Sequence, residues 1–394
     1  MTIYIHACGF HSALGSQHSD IHQHLQSGVG SNMVEALDIL NDGQPTIVGR
    51  ADGELPTIRA SFAEYDSRNN RLALSALSQI ESEIEHAKKQ YGSDRIAVVI
   101  GTSTSGISDG EGAFSEKLKN GQFPQSFHYS KQELGNISEF VSHYYDLQGP
   151  NYAVSTACSS SGRVFLTAQR LLNSGMVDAV IVGGVDTLCK LTLNGFHGLE
   201  ALSTEHCQPF SAHRKGINIG EAAAFMLLSK ERPAQEKQPI ALLGCGDSSD
   251  AHHISAPHPE GNGAEQAMLK ALKDANLKPE QIGYVNAHGT ATPLNDSMES
   301  KAISRVFPNK VPVSSTKPLT GHTLGAASAV EAAIAWHILK FDLSLPLQKC
   351  QDKAEDIDID LVDCCQKLKS KNIISNSFAF GGNNISLIFG VVND

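Results

Sequence analysis

The sequence has little that would suit a membrane, a disulfide scaffold or a nucleic-acid surface. No apolar run reaches the ~18 residues that a spanning helix needs, so no membrane-spanning helix is expected. The amino terminus, MTIYIHACGFHSALG, lacks a basic segment followed by a long apolar stretch, and no signal peptide is read there. Positive charge is in deficit, with 31 Lys plus Arg against 42 Asp plus Glu and a net charge of −11. Phosphate backbones and anionic surfaces attract cationic proteins, so general nucleic-acid or membrane-surface binding is disfavoured, although a local basic patch is still allowed. Eight cysteines in 394 residues is an ordinary density, and none forms a CxxC pair. The adjacent Cys364 and Cys365 read as unbonded thiols. These absences describe a soluble, cytoplasmic α/β protein in a reducing compartment.

Apolar residues make up 41% and charged residues 19%, enough for sizeable cores. At ~150 residues per domain the length suggests two or three domains, or one large or duplicated core. Buried strands are read at Arg95 to Gly101, Asp178 to Gly184 and Asn384 to Val392, and Ile282 to Thr292 as a strand running into a polar loop. Ala222 to Ser229 is ambiguous between strand and helix. Between them, Arg71 to Lys89 reads as one amphipathic helix with Leu72, Ala76, Ile80 and Ile84 on a stripe. Ala264 to Ala275 repeats that pattern, and Ala326 to Leu339 is a more apolar helix. The order helix, strand, Gly/Ser/Thr loop recurs in both halves, from Arg71 to Gly106 and from Ala264 to Thr292, which hints at duplication. The charged segment Ser229 to Pro239 marks the boundary, dividing the chain into 1–238 and 239–394.

Four segments carry chemistry. In VSTACSSSGRVF, Cys158 stands at or near a helix start, where free N–H groups and the helix dipole favour a thiolate and lower its pKa. NAHGTATPLND places His288 in a Gly/Thr loop after a strand, and STKPLTGHTLGAAS places Lys317 and His322 in a loop leading into a helix. A thiolate with two imidazoles can split a thioester and stabilise a developing oxyanion. Lys317 and Glu331 are 14 residues apart, and a loop can fold them into an ion pair. In SNSFAFGGNN, Gly381 and Gly382 allow unusual backbone angles and exposed N–H groups, and Phe378 and Phe380 can line an acyl tunnel.

In this order and spacing the four segments resemble the β-ketoacyl-acyl carrier protein synthases of the elongating type, a branch of the thiolase-fold condensing enzymes. The resemblance runs over nearly the whole chain. It implies an α/β, duplicated thiolase fold in five αβαβα layers, usually dimeric. It implies that Cys158 is acylated from an acyl carrier protein thioester, with its own N–H and that of Phe380 as the oxyanion hole. His288 and His322 match the pair that promotes malonyl decarboxylation, and Lys317 and Glu331 the supporting ion pair. Asp296 and Glu299 match acidic residues behind these loops. Thr290, Thr292 and Ser255 match hydroxyls along the phosphopantetheine arm, Phe380 the gating aromatic, and Ile107 and Phe196 acyl-pocket residues. The implied reaction is decarboxylative condensation to a 3-oxoacyl chain two carbons longer, without metal or nicotinamide and with no bound prosthetic group. The implied partners are acyl carrier protein and a second subunit, as a homodimer or a heterodimer with a related ketosynthase-like chain.

The sequence also departs from the family pattern. Ala379 and Asn383 alter the gate motif, and Lys215 stands where Asp is usual. These changes leave fatty-acid and specialised polyketide or polyene synthesis both open. A chain-length-factor-like partner would lose the nucleophile, which is retained here as Cys158. A thiolase would carry a second Cys in the last glycine loop, and AFGGNN has none. An acidic carrier protein would need a basic patch, for which Arg68, Arg71, Lys117, Lys119 and Lys131 are the candidates. His18 and His22 lie one helical turn apart, with His24 nearby. Metal binding needs a third or fourth ligand in fixed geometry, so a solvated helix face and no metal site are expected.

Overall fold

The computed structural model describes residues 2–28, 31–234 and 236–393. Gln235, within the charged connector, lies outside them. The strands that build the site fall into two sets. The first is β1 (Ile3–His11), β2 (Ile96–Gly101), β3 (Asn151–Val154), β4 (Ala179–Asp186) and β5 (Ala222–Ser229). The second is β6 (Ile240–Ser249), β7 (Tyr284–Asn286), β8 (Pro312–Ser314), β9 (Asn372–Phe378) and β10 (Asn383–Val391). In space the first set runs β1–β5–β4–β2–β3 and the second β6–β10–β9–β7–β8. The second order is the first with every index raised by five. Strand directions repeat as well, two antiparallel contacts followed by two parallel ones. Two copies of one topology are what an internal duplication leaves. The copies join where Ile3 and Tyr4 of β1 pair with Leu242 and Ala241 of β6, making one 11-stranded sheet with Asp360–Leu361 on its far edge.

Seven helices cover this sheet: α1 (Arg68–Leu77), α2 (Glu81–Tyr91), α3 (Asn136–Tyr144), α4 (Ser160–Asn173), α5 (Asn262–Ala275), α6 (Pro293–Val306) and α7 (Ala327–Phe341). Strand side chains alternate between faces, and β2 is buried at every residue, so both of its faces are covered. Val98 and Ile100 pack with Leu72, Ile84 and Phe140 of α1, α2 and α3. Ala97 and Val99 turn the other way, into a core shared with Phe165 of α4 and Ile334 of α7. Tyr284 and Ile373 of the second set face that same middle core, while Val285 and Ile374 face Met268 of α5 and Ile303 of α6. The layers therefore read α1–α3, sheet, α4 and α7, sheet, α5 and α6. Each fully buried Val, Leu, Ile or Phe in these layers contributes about 1.5–3 kcal/mol.

One ambiguity in the sequence is resolved, and two local features differ from expectation. Ala222 to Ser229 is a strand, fully buried and paired on both sides, where a helix would leave β1 and β4 without their middle neighbour. The single helix read over Arg71 to Lys89 breaks at Ser78–Ile80. Gln79 explains the break, because its side chain donates to the Phe10 carbonyl at 2.9 Å and accepts from the Phe10 N–H at 3.1 Å, serving β1 instead of the helix surface. The helical stretch Leu324–Phe341, which takes in α7, is long and apolar enough to cross a membrane. Of this stretch 89% is buried inside the protein, so side chains of the two strand sets surround it in place of lipid.

Candidate active site

The functional segments all leave the carboxyl ends of strands. Cys158 follows β3, His288 follows β7, His322 follows β8 by way of the short helix Lys317–Thr320, and the loop at Ala379–Gly382 follows β9. The parallel strands β7, β8 and β9 end on the same side of the sheet, which gathers the His288, His322 and Ala379–Gly382 loops, while Cys158 comes from the other strand set and meets them through the packing of the two halves. Ala157, immediately before the cysteine, has a left-handed φ of 54°, a conformation that costs a non-glycine residue about 1–2 kcal/mol. The turn sends the chain from β3 into α4, which starts at Ser160. Its first turn lies against the end of β2. A Cβ on Gly101 would sit 2.3 Å from the Ser161 nitrogen, so a glycine is required there.

Cys158 Sγ lies 3.1 Å from His322 Nε2. His322 Nδ1 accepts the Leu324 N–H at 3.2 Å, which leaves the proton on Nε2, pointing at sulfur. The His288 and His322 rings meet edge to face at 5.4 Å, and ligand atoms of Cys158, His288 and His322 all lie within 4.8 Å of one another. All three residues are buried. Burial, then the Lys317 charge, then His322 hold His288 well below the usual histidine range. His322 is held down by burial and Lys317. Both imidazoles are therefore neutral hydrogen-bond donors at neutral pH. His288 Nδ1 is buried without a partner among the described residues.

The thiol departs from the sequence expectation. Burial pushes Cys158 up to about 11, outweighing the opposing pull of Lys317, the Phe380 N–H and its own N–H. A helix start favours a thiolate only where solvent or a strong positive partner offsets desolvation. Here the thiol is the resting form, and those three groups are arranged to receive negative charge when it forms.

Behind the triad, Lys317 Nζ lies 2.6 Å from Glu331 Oε1, with both side chains almost fully buried. Ser377 Oγ reaches Glu331 at 3.3 Å, and Ser328 Oγ lies 2.7 Å from Ser377 and 3.5 Å from the Cys158 carbonyl. The ion pair is thus tied by two hydroxyls to the cysteine backbone. Glu299 accepts the N–H groups of His288 and Gly289, each at 2.8 Å. Asp296 accepts those of Phe210 at 2.8 Å and Ala291 at 3.2 Å. Thr290 and Thr292 share a 2.9 Å hydrogen bond.

A cavity of about 260 Å³ opens beside this cluster, lined by Ser255, Thr292, Phe378, Phe380 and Asn384, with Lys215 at its rim. Phe196 packs against Phe380 at 5.8 Å between ring centroids. Ile107 begins the helix Ile107–Asn120, half-buried and outside this lining. Gly381 and Gly382 both have φ near +80°, and a Cβ on Gly382 would meet the Asp250 carbonyl at 2.1 Å. The basic patch read from the sequence is largely spent internally. Arg68 is bound to Glu221, Arg71 to Asp66, and Lys131 Nζ to the Ser126 carbonyl, leaving Lys117 and Lys119 exposed.

Two buried acids escaped sequence reasoning. Asp186, at the end of β4, accepts Thr102 and Thr104 hydroxyls and the Ser103 and Thr104 N–H groups, and its other oxygen takes the Ala326 N–H. It therefore fixes the start of the helical stretch that follows His322. Glu221 does the same for Arg68 and the Leu188 N–H. The available signal was an acid directly abutting an unbroken buried strand.

The carboxylates behind the histidine loop give a pH prediction. Burial raises Glu299 to about 7 and Asp296 to about 6. A folded pKa above the unfolded one means that the folded state holds the proton more tightly. The Glu299 contribution is then fully present below ~4.5 and is lost as pH rises through about 7. Glu299→Gln is expected to lower the melting temperature at both pH 5 and pH 8, since one N–H of the pair loses its acceptor, and to flatten the difference between the two pH values. Melting curves at both pH values check this; an unchanged slope would mean that Glu299 does not titrate in this window.

The chain matches two family models, the N-terminal domain of beta-ketoacyl synthase over residues 38–234 and the C-terminal domain over residues 240–350. It is 31% identical to 3-oxoacyl-[acyl-carrier-protein] synthase 2 of Coxiella burnetii, covering 100% of this chain and 99% of that protein. It is 36% identical to the protein of the same name from Vibrio harveyi, over 93% and 96%. Among solved structures, it is 47% identical to a chain of the ketosynthase (ApeO) in complex with its chain length factor (ApeC) from Xenorhabdus doucetiae, with a TM-score of 0.94 over 99% and 98% of the two chains. A beta-ketoacyl synthase from Burkholderia phymatum is 27% identical with a TM-score of 0.89 over the full length of both. The expected thiolase fold is the one observed, and the chain belongs to the β-ketoacyl synthase family.

Proposed function

We propose that this chain is a 3-oxoacyl-[acyl-carrier-protein] synthase that condenses an acyl chain carried on Cys158 with malonyl-acyl carrier protein. The observation that carries the reading is the 3.1 Å contact from His322 Nε2–H to Cys158 Sγ, with neutral His288 completing the triad. In the first half-reaction Sγ attacks the acyl thioester carbonyl, the carbon–sulfur bond to the carrier breaks, and the thiol proton leaves with the pantetheine sulfur. The N–H groups of Cys158 and Phe380, already turned toward sulfur, hold the oxyanion. In the second, the malonyl carbon–carbon bond breaks, carbon dioxide leaves, and the electron pair passes onto the thioester oxygen as an enolate. Neutral His288 and His322 donate to that oxygen. The enolate carbon attacks the acyl-cysteine, Sγ departs as a thiolate that takes up one proton from solvent to restore the thiol, and a 3-oxoacyl chain two carbons longer remains on the carrier.

Burial, aided by the charge of Lys317 that Glu331 holds in place, keeps both imidazoles unprotonated. Asp296 and Glu299 hold the His288 loop, Thr290, Thr292 and Ser255 meet the phosphopantetheine arm, and Phe378, Phe380 and Gly381 form the gate with Phe196 behind it. Ile107 would reach an acyl chain only beyond the present cavity. No redox step occurs, and the substrates bring their own phosphopantetheine. The amino-terminal half, 1–238, carries the nucleophile, and 239–394 carries the histidine loops and the gate. All eight cysteines are free, which suits a reducing, cytoplasmic setting.

The second subunit is a further copy or a related ketosynthase-like chain. Edge strand β3 supports this, with Asn151 and Tyr152 exposed and no outer neighbour among the described residues. The resemblance to a chain of a ketosynthase solved with its chain length factor favours a related chain, and the product is a fatty-acid chain or a specialised polyketide or polyene. Retention of Cys158 makes this chain the acylated member of such a pair. The test is intact-mass spectrometry after mixing with a panel of acyl-carrier-protein thioesters. The acyl mass is expected on the wild type and absent from Cys158→Ala, with the preferred chain indicating the pathway. Acylation persisting in that variant, or no acylation by any chain even with the co-purified partner, would overturn the reading.

A further inference from the structure

We propose that His18, His22 and His337 form a binding site for a divalent transition-metal ion of the zinc class, separate from the thiol. The expectation of a solvated helix face fails here. His18 and His22 lie one turn apart on the helix His18–Ser27, and that face packs against the carboxyl end of α7, where His337 is 1% exposed. Nitrogens of the three residues all lie within 4.8 Å of one another. His22 Nε2 is 3.1 Å from His337 Nδ1, and the ring centroids are 5.9, 5.1 and 5.2 Å apart. The third ligand that the local sequence lacked comes from 315 residues away.

The geometry suits an imidazole-ligated ion. Tetrahedral coordination at about 2.0–2.1 Å sets ligand nitrogens roughly 3.3 Å apart. The His22–His337 pair already has nearly that spacing, and His18, on the exposed side, is free to turn inward. A neutral imidazole carries one lone pair and one N–H, so three such rings facing one another offer one lone pair each to a cation. The one hydrogen bond between His22 and His337 uses a single proton, and a cation accepts every lone pair at once. His337 Nε2 is buried with no partner among the described residues, so the ring is not committed to a competing network. Phe10, Trp336 and Phe341 wall the cluster, which strengthens electrostatic attraction inside it. His24 does not take part, since its Nδ1 is bonded to the Leu14 carbonyl at 3.0 Å.

The position assigns a clamping role. Ser328, which touches the Cys158 carbonyl, and His337 are on one helix, and at ~1.5 Å per residue they are roughly 14 Å apart along its axis. The ion is too remote to touch substrate. It would tie the helix His18–Ser27, anchored otherwise by buried Ile21 and Leu25, to the helix that presents Ser328 and Glu331 to the site. Three protein ligands leave a fourth position for water on the exposed His18 side.

The test uses full-length, metal-stripped protein in a Cys158→Ala, Cys364→Ser, Cys365→Ser background, which removes the triad sulfur and the exposed thiols as ligands. Cobalt(II) is titrated, followed by zinc(II). The expected result is one equivalent of cobalt with the visible absorption of a tetrahedral nitrogen and oxygen site, no sulfur charge-transfer band, and displacement by zinc. His22→Ala is expected to weaken binding by at least about 100-fold, and His24→Ala to leave it unchanged. Zinc should raise the melting temperature of the parent protein and not that of His22→Ala. His18→Ala and His22→Ala alter the exposed and half-buried ligands, so the test does not depend on a buried His337 variant folding. Absence of binding, several weak equivalents shared among the 17 histidines, or binding indifferent to His18→Ala and His22→Ala would each overturn the proposal.

Discussion

His288→Ala is expected to leave acyl transfer to Cys158 nearly intact while condensation falls by about 10²–10³-fold, the usual cost of losing one oxyanion donor. Cys158→Ala should abolish both half-reactions, because it removes the sulfur that His322 contacts and on which the acyl chain is carried. The separation follows from the hydrogen bonds. His322, not His288, makes the 3.1 Å contact with sulfur, so His288 has no part in forming the thiolate. In the proposed mechanism its neutral ring donates instead to the malonyl thioester oxygen. His322→Ala should therefore slow both steps, loading through loss of the sulfur contact and decarboxylation through loss of the second donor. Single-turnover acylation followed by mass, with carbon dioxide release measured separately, distinguishes the three variants. Equal loss of loading and decarboxylation in His288→Ala would mean that the histidines act as one unit on sulfur, with no division of labour between the two rings.

The parts of this site that could be read in the sequence are those whose partners are local or whose residue type is rare. Cys158, His288 and His322 each sit in a loop after a strand, and their residue types admit few other roles in such a loop. The parallel ends of β7 and β8 bring the two histidines together, and the packing of the duplicated halves adds the cysteine from β3. Strands such as Ile96–Gly101 were legible because a short run of β-branched residues ending at a glycine fits little else. What escaped was set by distant packing. The break at Ser78–Ile80 leaves the apolar stripe of α1 and α2 unbroken, and only Gln79 reaching β1 reveals it. The direction of the Cys158 shift depends on how completely other layers cover the loop, which the surrounding serines and alanines do not disclose. Asp186 and His337 are single polar residues beside or within apolar runs, and their partners lie 140 and 315 residues away.

Removing one member of the buried Lys317–Glu331 pair is expected to cost about 3–5 kcal/mol of stability, because the remaining charge stays in the interior uncompensated. Lys317→Met paired with Glu331→Leu should recover most of that loss, since two apolar side chains of similar volume need no partner. The double variant should nevertheless stay slow. Lys317 supplies the positive charge that, after burial, holds His288 and His322 below the usual histidine range. Without it both rings gain a proton more readily, and an imidazolium has the wrong charge state beside Cys158. The sign is fixed: removing a nearby cation raises an imidazole pKa, so the acid limb of the condensation profile should move to higher pH in the double variant. Glu331 also anchors Ser377, and through Ser328 the cysteine carbonyl, so acylation should slow along with decarboxylation. Urea denaturation reports the stability effect, and condensation rates across pH report the electrostatic one. A double variant that regains both stability and rate with an unmoved acid limb would make the ion pair a packing element only. A stable but slow protein with a shifted limb would make it the device that keeps two histidines neutral next to a thiol.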